Sequence, residues 1–269
     1  MSTVLPTVRA LTYLTPLREG GSLPGIVEAD DLGTYVVKFT GAGQGPRALV
    51  AEIVVGELAR RLGIATPELK LITVDAEMGR RDPHQEVNDL ITASEGLNLA
   101  VDFLPGSIGY DLTMHVEPEV AAPIVWLDAL TYNVDRSARN TNLLVWGHAP
   151  RSERADRVGD VGRLWAIDHG ACLKFHHSWG KIEAFAHSPY RYDDHVLALS
   201  GDARSVHATL APQVSAAVLA EVLALVPDAW LEPDPTRPDP NAPPDAEAAR
   251  RAYADYLLAR LAEAEAWLP

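Results

Sequence analysis

A single cysteine, Cys172, stands in the 269-residue chain. An internal disulfide is excluded, and so is a zinc site built from several thiolates; a reducing compartment fits that composition. Basic side chains are also scarce, since 23 lysines and arginines face 37 acids for a formal charge of −14. A surface of that sign repels nucleic acid and anionic lipid at long range, so neither is expected as a direct partner. Any phosphate the protein holds must therefore be held by a local cluster of donors. No apolar run approaches the roughly 18 residues of a membrane span. The opening "MSTVLPTVRALTYLTPLREGG" has no basic stretch leading into an apolar core. A cytoplasmic globular protein is the expectation, and an apolar share of 47% supplies a sizeable core.

The length suits one large domain or two packed lobes. β-like runs separated by turns fill the first hundred residues, among them "TVRALTYLTPL" and "GTYVVKFTG", and predict a hairpin-rich sheet. Between β-like runs, "GAGQGPRALVAEIVVGELARRLGI" predicts a helix launched by a glycine loop, with Leu49, Ile53, Leu58 and Leu62 near helical spacing and Gly63 as its stop. "NLAVDFLPGS" reads as a strand ending at a Pro-Gly turn, and the composition changes there. Beyond it the pattern is mostly helical, interrupted by "NVDRSARNTNLLVWG", by the polar loop "GHAPRSERADRVGDVG" and by the strand-like "RLWAIDHG". The expected class is α+β in two lobes, a β-rich one over residues 1–103 and a helical one over 104–269.

Asp135 and Asn140 lie five apart, Asn142 two further on, and Asp168 follows a β-like run. Acid and amide side chains are hard oxygen donors, the kind magnesium takes from a protein alongside substrate phosphates. Phosphoryl transfer uses this inventory together with a lysine on an early strand. Lys38 in "TYVVKF" meets that requirement, with Lys70 in "ELKLI" as the competitor. Glu52, on the helix after Lys38, is the natural acid to orient it, and Glu57 is the fallback.

Lys38, Glu52, "DRSARN" and "IDHG" resemble the nucleotide and magnesium motifs of the HipA-like and phosphoinositide-kinase-like branch of the protein kinase fold. The resemblance runs from about Leu11 to Leu231. It implies a two-lobed kinase with ATP in the cleft, Asp135 as catalytic acid or base, Asn140 and Asp168 on magnesium, and adenine beside Asp102, Phe103 and Leu104. It also implies a serine or threonine of a protein as acceptor. The pattern departs from ordinary protein kinases: no His-Arg precedes "DRSARN", Asp-His-Gly replaces Asp-Phe-Gly, and the G-x-G-x-x-G loop is missing. The nearest turn able to cover phosphates is "EGGS", with Gly20, Gly21 and Ser22, while "GAGQG" is richer in glycine but follows the lysine strand.

Plainer readings compete at each position. Asp135 and Arg136 can form a surface ion pair with Asn140 as a turn residue. His169, His176 and His177 suggest zinc, but neighbouring histidines point apart and no cysteine ligand accompanies them; His169 is expected to position backbone or phosphate. Cys172, Trp165 and Trp179 read as packing residues. Two other functions share the inventory: a kinase of a hydroxylated small molecule, and a nucleotide-binding scaffold without catalysis.

Overall fold

In "TYVVK" alternate residues are buried, which puts Tyr35 and Val37 on one face of a strand and Lys38 on the other. The computed structural model, which describes residues 4–17, 23–81, 83–147 and 158–268, rolls five such strands into a closed barrel. They are β1 (Thr7–Pro16), β2 (Gly25–Ala29), β3 (Thr34–Lys38), β4 (Leu69–Val74) and β5 (Gly96–Asp102), in the order β1-β2-β3-β5-β4. Hairpins alone do not make this shape. β1 pairs with β4 in parallel, matching Thr7–Arg9 to Leu71–Thr73, and that long-range ladder closes the ring. Val8, Val27, Tyr35, Val37, Ile72 and Ala100 fill the core, and helix α2 (Gln85–Ala93) adds Val87 and Ile91 to it.

Between β3 and β4 runs helix α1 (Pro46–Arg61). Its Ile53-Val54-Val55 run disfavours a helix on propensity, yet burial decides, because every residue from Leu49 to Ala59 is buried. It is ringed by protein rather than presenting one stripe. Gly63, at a φ of +77°, supplies the left-handed turn that ends this stretch.

The chain divides into two compact units, Met1–Val50 with Pro67–Pro105, and Ala51–Thr66 with Gly106–Pro269. The passage into the second unit falls two residues after the boundary expected at 103/104, and α1 from Ala51 onward groups with the second unit. Local bonds account for that grouping: the Ala166 N–H donates to Ala65 O, Arg163 to Gly63 O, and Arg61 pairs with Glu221.

The second unit is built on α3 (Pro118–Thr131), buried from Ala121 almost continuously to Thr131. β6 (Ile108–Gly109), β7 (Leu143–Trp146) and β8 (Arg163–Ala166) form a small antiparallel sheet. One-turn helix α4 (Val158–Val161) precedes β8, and the helices α5 (Ile182–Ala186), α6 (Ala203–Leu210), α7 (Ala216–Leu223), α8 (Asp228–Leu231), α9 (Ala246–Ala262) and α10 (Ala264–Trp267) complete the unit. Among the described residues no single helix is long and apolar enough to cross a membrane.

Arg260 of α9 is wholly buried. Its guanidinium donates to the carbonyls of Ala129 and Leu130 at the end of α3 and to those of Phe185, Ala186 and Ser188 at the end of α5. Tyr132, Tyr256 and Trp267 surround it with aromatic faces. The orphan carbonyls of two helix ends are thus satisfied by one side chain. At the start of α6, Gly201 lies against α3 so closely that a Cβ would stand 2.7 Å from backbone atoms of Ala121 and Ala122.

Candidate active site

Helix α3 ends at Tyr132, whose left-handed conformation (φ +57°) turns the chain into the loop holding Asp135. Asn133, buried beneath that loop, donates from its amide to Asp128 Oδ1 at 2.8 Å and accepts the Asp135 N–H at 3.0 Å. The backbone of Asp135 is therefore referred to the core of the helix. Its carboxylate receives two amides on one oxygen, from Asn140 at 2.7 Å and from Asn142 at 3.1 Å. With the amide nitrogens engaged in this way, the Oδ1 atoms of Asn140 and Asn142 accept no hydrogen bond from the described residues.

Arg136 points inward, contrary to the surface ion pair with Asp135 that its sequence neighbour suggests. It is 2% exposed, with Nε on Asp128 Oδ2 at 2.5 Å. A charge beneath an apolar helix needs a partner of opposite sign, and Asp128 is that partner. Burial works against the Asp128 carboxylate, but Arg136 and His195 outweigh it and hold its pKa well below the usual range. Burial likewise opposes the Arg136 cation, and Asp128 more than offsets it. The same guanidinium donates to the carbonyl of Asn142 and, at 3.1 Å, to that of Ile167, while its third nitrogen donates to His169 Nδ1 at 3.3 Å.

Those contacts join the Asp135 loop to the segment after β8. The Ile167 N–H donates to Asn142 O at 3.0 Å, so Asp168 begins one residue from the point where the two segments meet. Asn142 and Asp168 both have left-handed backbones, at φ of +48° and +55°. Asn and Asp are the non-glycine residues most at home there, and the Arg136 bonds to the adjoining carbonyls stabilise both turns. Asp135, Asn140 and Asn142 are thus brought together directly, and Asp168 is set by the bonds of its neighbours. Hard oxygen donors in this arrangement suit magnesium.

Asp128, His169 and Cys172 also hold ligand atoms within 4.8 Å of one another. A cation placed there would sit beside the Arg136 guanidinium already bound to Asp128. Cys172 is buried, and burial pushes its thiol pKa up, away from the thiolate a metal needs. His176 and His177 do not point apart as expected: they lie Nε2 to Nε2 at 3.1 Å, with His176 Nδ1 on the Tyr253 hydroxyl at 2.9 Å inside an aromatic cluster that includes Phe175 and Trp179. Trp165 packs edge-on against Trp146.

In the first unit, Lys38 ends β3 on the face opposite the barrel core. Lys70 is engaged elsewhere: its Nζ is 2.6 Å from Asp31 and 2.7 Å from the Tyr35 hydroxyl, contacts that raise its pKa. Asp102 closes β5, where burial and then the charge of Glu68 push its carboxyl pKa up. The next residue, Phe103, donates its N–H to Thr34 O at 3.1 Å, and Leu104 is buried. Gly20, Gly21 and Ser22 lie outside the described residues, as does most of the "GHAPRSERADRVGDVG" loop. On α1, Glu57 is bound by its own neighbours Arg60 and Arg61, each at 3.3 Å, while Glu52 is 3% exposed. Asp128, Asn133 and His195 escaped the sequence reading. A lone acid inside "APIVWLDALT" was the available signal for Asp128, whereas nothing local marks the other two.

The family model of the HipA-like kinases matches residues 12–252. The chain belongs to the HipA-like kinase family. Two solved structures resemble this HipA-like kinase along nearly its whole length. Against the Helicobacter pylori proinflammatory kinase CtkA the identity is 13% and the TM-score 0.46, covering 97% of this chain and 98% of that one. Against a Golgi casein kinase they are 12% and 0.43, covering 98% and 73%. Among proteins with curated descriptions nothing matches.

Proposed function

We propose that this kinase transfers the terminal phosphoryl group of ATP, with magnesium, to the hydroxyl of a serine or threonine in a protein. The observation that carries the reading is the double amide contact on Asp135, in a loop joined through Arg136 to the Asp168 segment. An acid fixed in this way, half exposed at a loop, can take the proton of an acceptor hydroxyl as it attacks. Asn140 and Asp168 are assigned to magnesium, which when bound neutralises charge on the phosphate oxygens. Lys38 is assigned to the phosphates, with Glu52 to orient it, the engagement of Lys70 by Asp31 and of Glu57 by Arg60 and Arg61 removing their competitors. Asp102, Phe103 and Leu104 are assigned to the base, and Gly20, Gly21 and Ser22 to the phosphate-covering turn.

Incubation with ATP and magnesium, followed by intact mass of the chain and of added proteins, tests the reading. A phosphate's mass gained by protein is expected. Consumption of a small hydroxyl compound while every protein stays unlabelled would replace the protein acceptor, and gain of a nucleotide monophosphate would replace phosphoryl by adenylyl transfer.

A further inference from the structure

We propose that His195 is a positioning residue that pins the segment 190–201 to the loop carrying Asp135, so that the surface an acceptor meets stands ordered in the unmodified chain. Its catalytic consequence rests on the phosphoryl-transfer reading; its geometry does not.

The His195 side chain is wholly buried. The Leu197 N–H donates to its Nδ1 at 3.0 Å. A backbone amide only donates, so Nδ1 carries no proton and the ring hydrogen sits on Nε2. Nε2 then donates to Asp128 Oδ2 at 2.9 Å, the same oxygen that accepts from Arg136 Nε. One ring therefore reads the acid beneath the Asp135 loop with one nitrogen and the turn of its own segment with the other.

The backbone repeats the connection. His195 and Ser137 form a bridge, and the Val196 N–H donates to Arg136 O at 3.2 Å. The segment is also closed upon itself, because the Tyr192 hydroxyl shares its one proton between Ala198 O, at 2.6 Å, and Gly201 O. Its outward side chains include Arg191, Asp193, Asp194 and a fully exposed Leu199, and Val134 stands exposed beside Asp135. Fixing 190–201 fixes these groups relative to the acid. Asp128 thus has two tasks, holding Arg136 and, through His195, holding the acceptor side.

Two substitutions separate the two nitrogens. His195→Asn leaves an acceptor near Nδ1 for Leu197 but no donor for Asp128, and His195→Gln leaves a donor near Nε2. Phosphate release from MgATP, phosphate incorporated into the chain, and backbone hydrogen exchange over 134–142 and 192–201 are measured for both. The Asn variant is expected to lose about tenfold in kcat with the KM for MgATP within about twofold, and to exchange faster in both windows. The Gln variant is expected to keep kcat within about threefold and to retain wild-type exchange. Equal losses in the two variants, or wild-type kcat and exchange in the Asn variant, would overturn the proposal. Melting curves of both guard against a general loss of folding. A wild-type chain that moves no phosphate from ATP defeats the phosphoryl-transfer reading instead, and the exchange comparison then decides the pin by itself.

Discussion

Asp128 gathers more of this kinase than its neighbours in "VWLDAL" announce. Arg136, Asn133 and His195 all end on its carboxylate. Removing one member of a buried ion pair leaves the other without a counter-charge, a loss of about 3–5 kcal/mol in typical cases. Arg136→Met should cost in that range by urea denaturation, and phosphate transfer should fall with it because the guanidinium bonds to the Asn142 and Ile167 carbonyls are lost. Asp135→Ala is expected to behave differently. It should abolish transfer while ATP still raises the melting temperature, since the proposed role of the acid is toward the acceptor hydroxyl and not the nucleotide. Asp168→Ala should remove the magnesium-dependent part of that ATP-induced shift; an undiminished shift would withdraw Asp168 from the metal. Residue identity made the donor set of this loop readable, because a carboxylate and two amides fall within eight positions. The inward turn of Arg136 was not readable, because "DR" looks alike whether the arginine meets water or a helix eight residues back.

At the scale of elements, the two helix ends served by Arg260 depend on a cation that has no carboxylate partner among the described residues, and burial lowers its pKa. Lysine presents three donors from one point and cannot span five carbonyls. Arg260→Lys should therefore lower stability by roughly 2–4 kcal/mol, read by thermal or urea melting. The loss reaches the site, since α3 runs directly into Tyr132 and Asn133. A second element-scale expectation concerns acid. Contacts with Lys70 and Tyr35 hold Asp31, in the turn joining β2 and β3, at a pKa of about 2, against an ordinary value of 3.8. The folded state therefore binds this proton less readily, and the stabilisation is full above about pH 4 and lost as the pH falls toward 2. Comparing wild type with Asp31→Asn should show a shallower acid decline in the variant, worth about 1 kcal/mol after solvent screening. The elements themselves were largely readable, since β-like runs mark β1, β3 and β5 and apolar residues near helical spacing mark α1. The parallel β1–β4 ladder was not, because a pairing across more than sixty residues leaves no trace in local periodicity.

For the whole molecule, a formal charge of −14 means mutual repulsion in the folded state. Raising salt from roughly 10 mM to 150 mM should increase the melting temperature by a few degrees, and neither heparin nor duplex DNA should retain the chain at the higher salt. An unchanged or lower melting temperature would mean that paired surface charges, not repulsion, dominate. The narrow passage at Gly201 has a practical corollary. Because even one methyl group there would collide with main-chain atoms of Ala121 and Ala122, Gly201→Ala should loosen the packing of α3 against the start of α6 by degrees. Such a chain is a candidate heat-sensitive allele, active in cool cultures and silent in warm ones, with which the cellular role of the enzyme can be switched off by temperature alone.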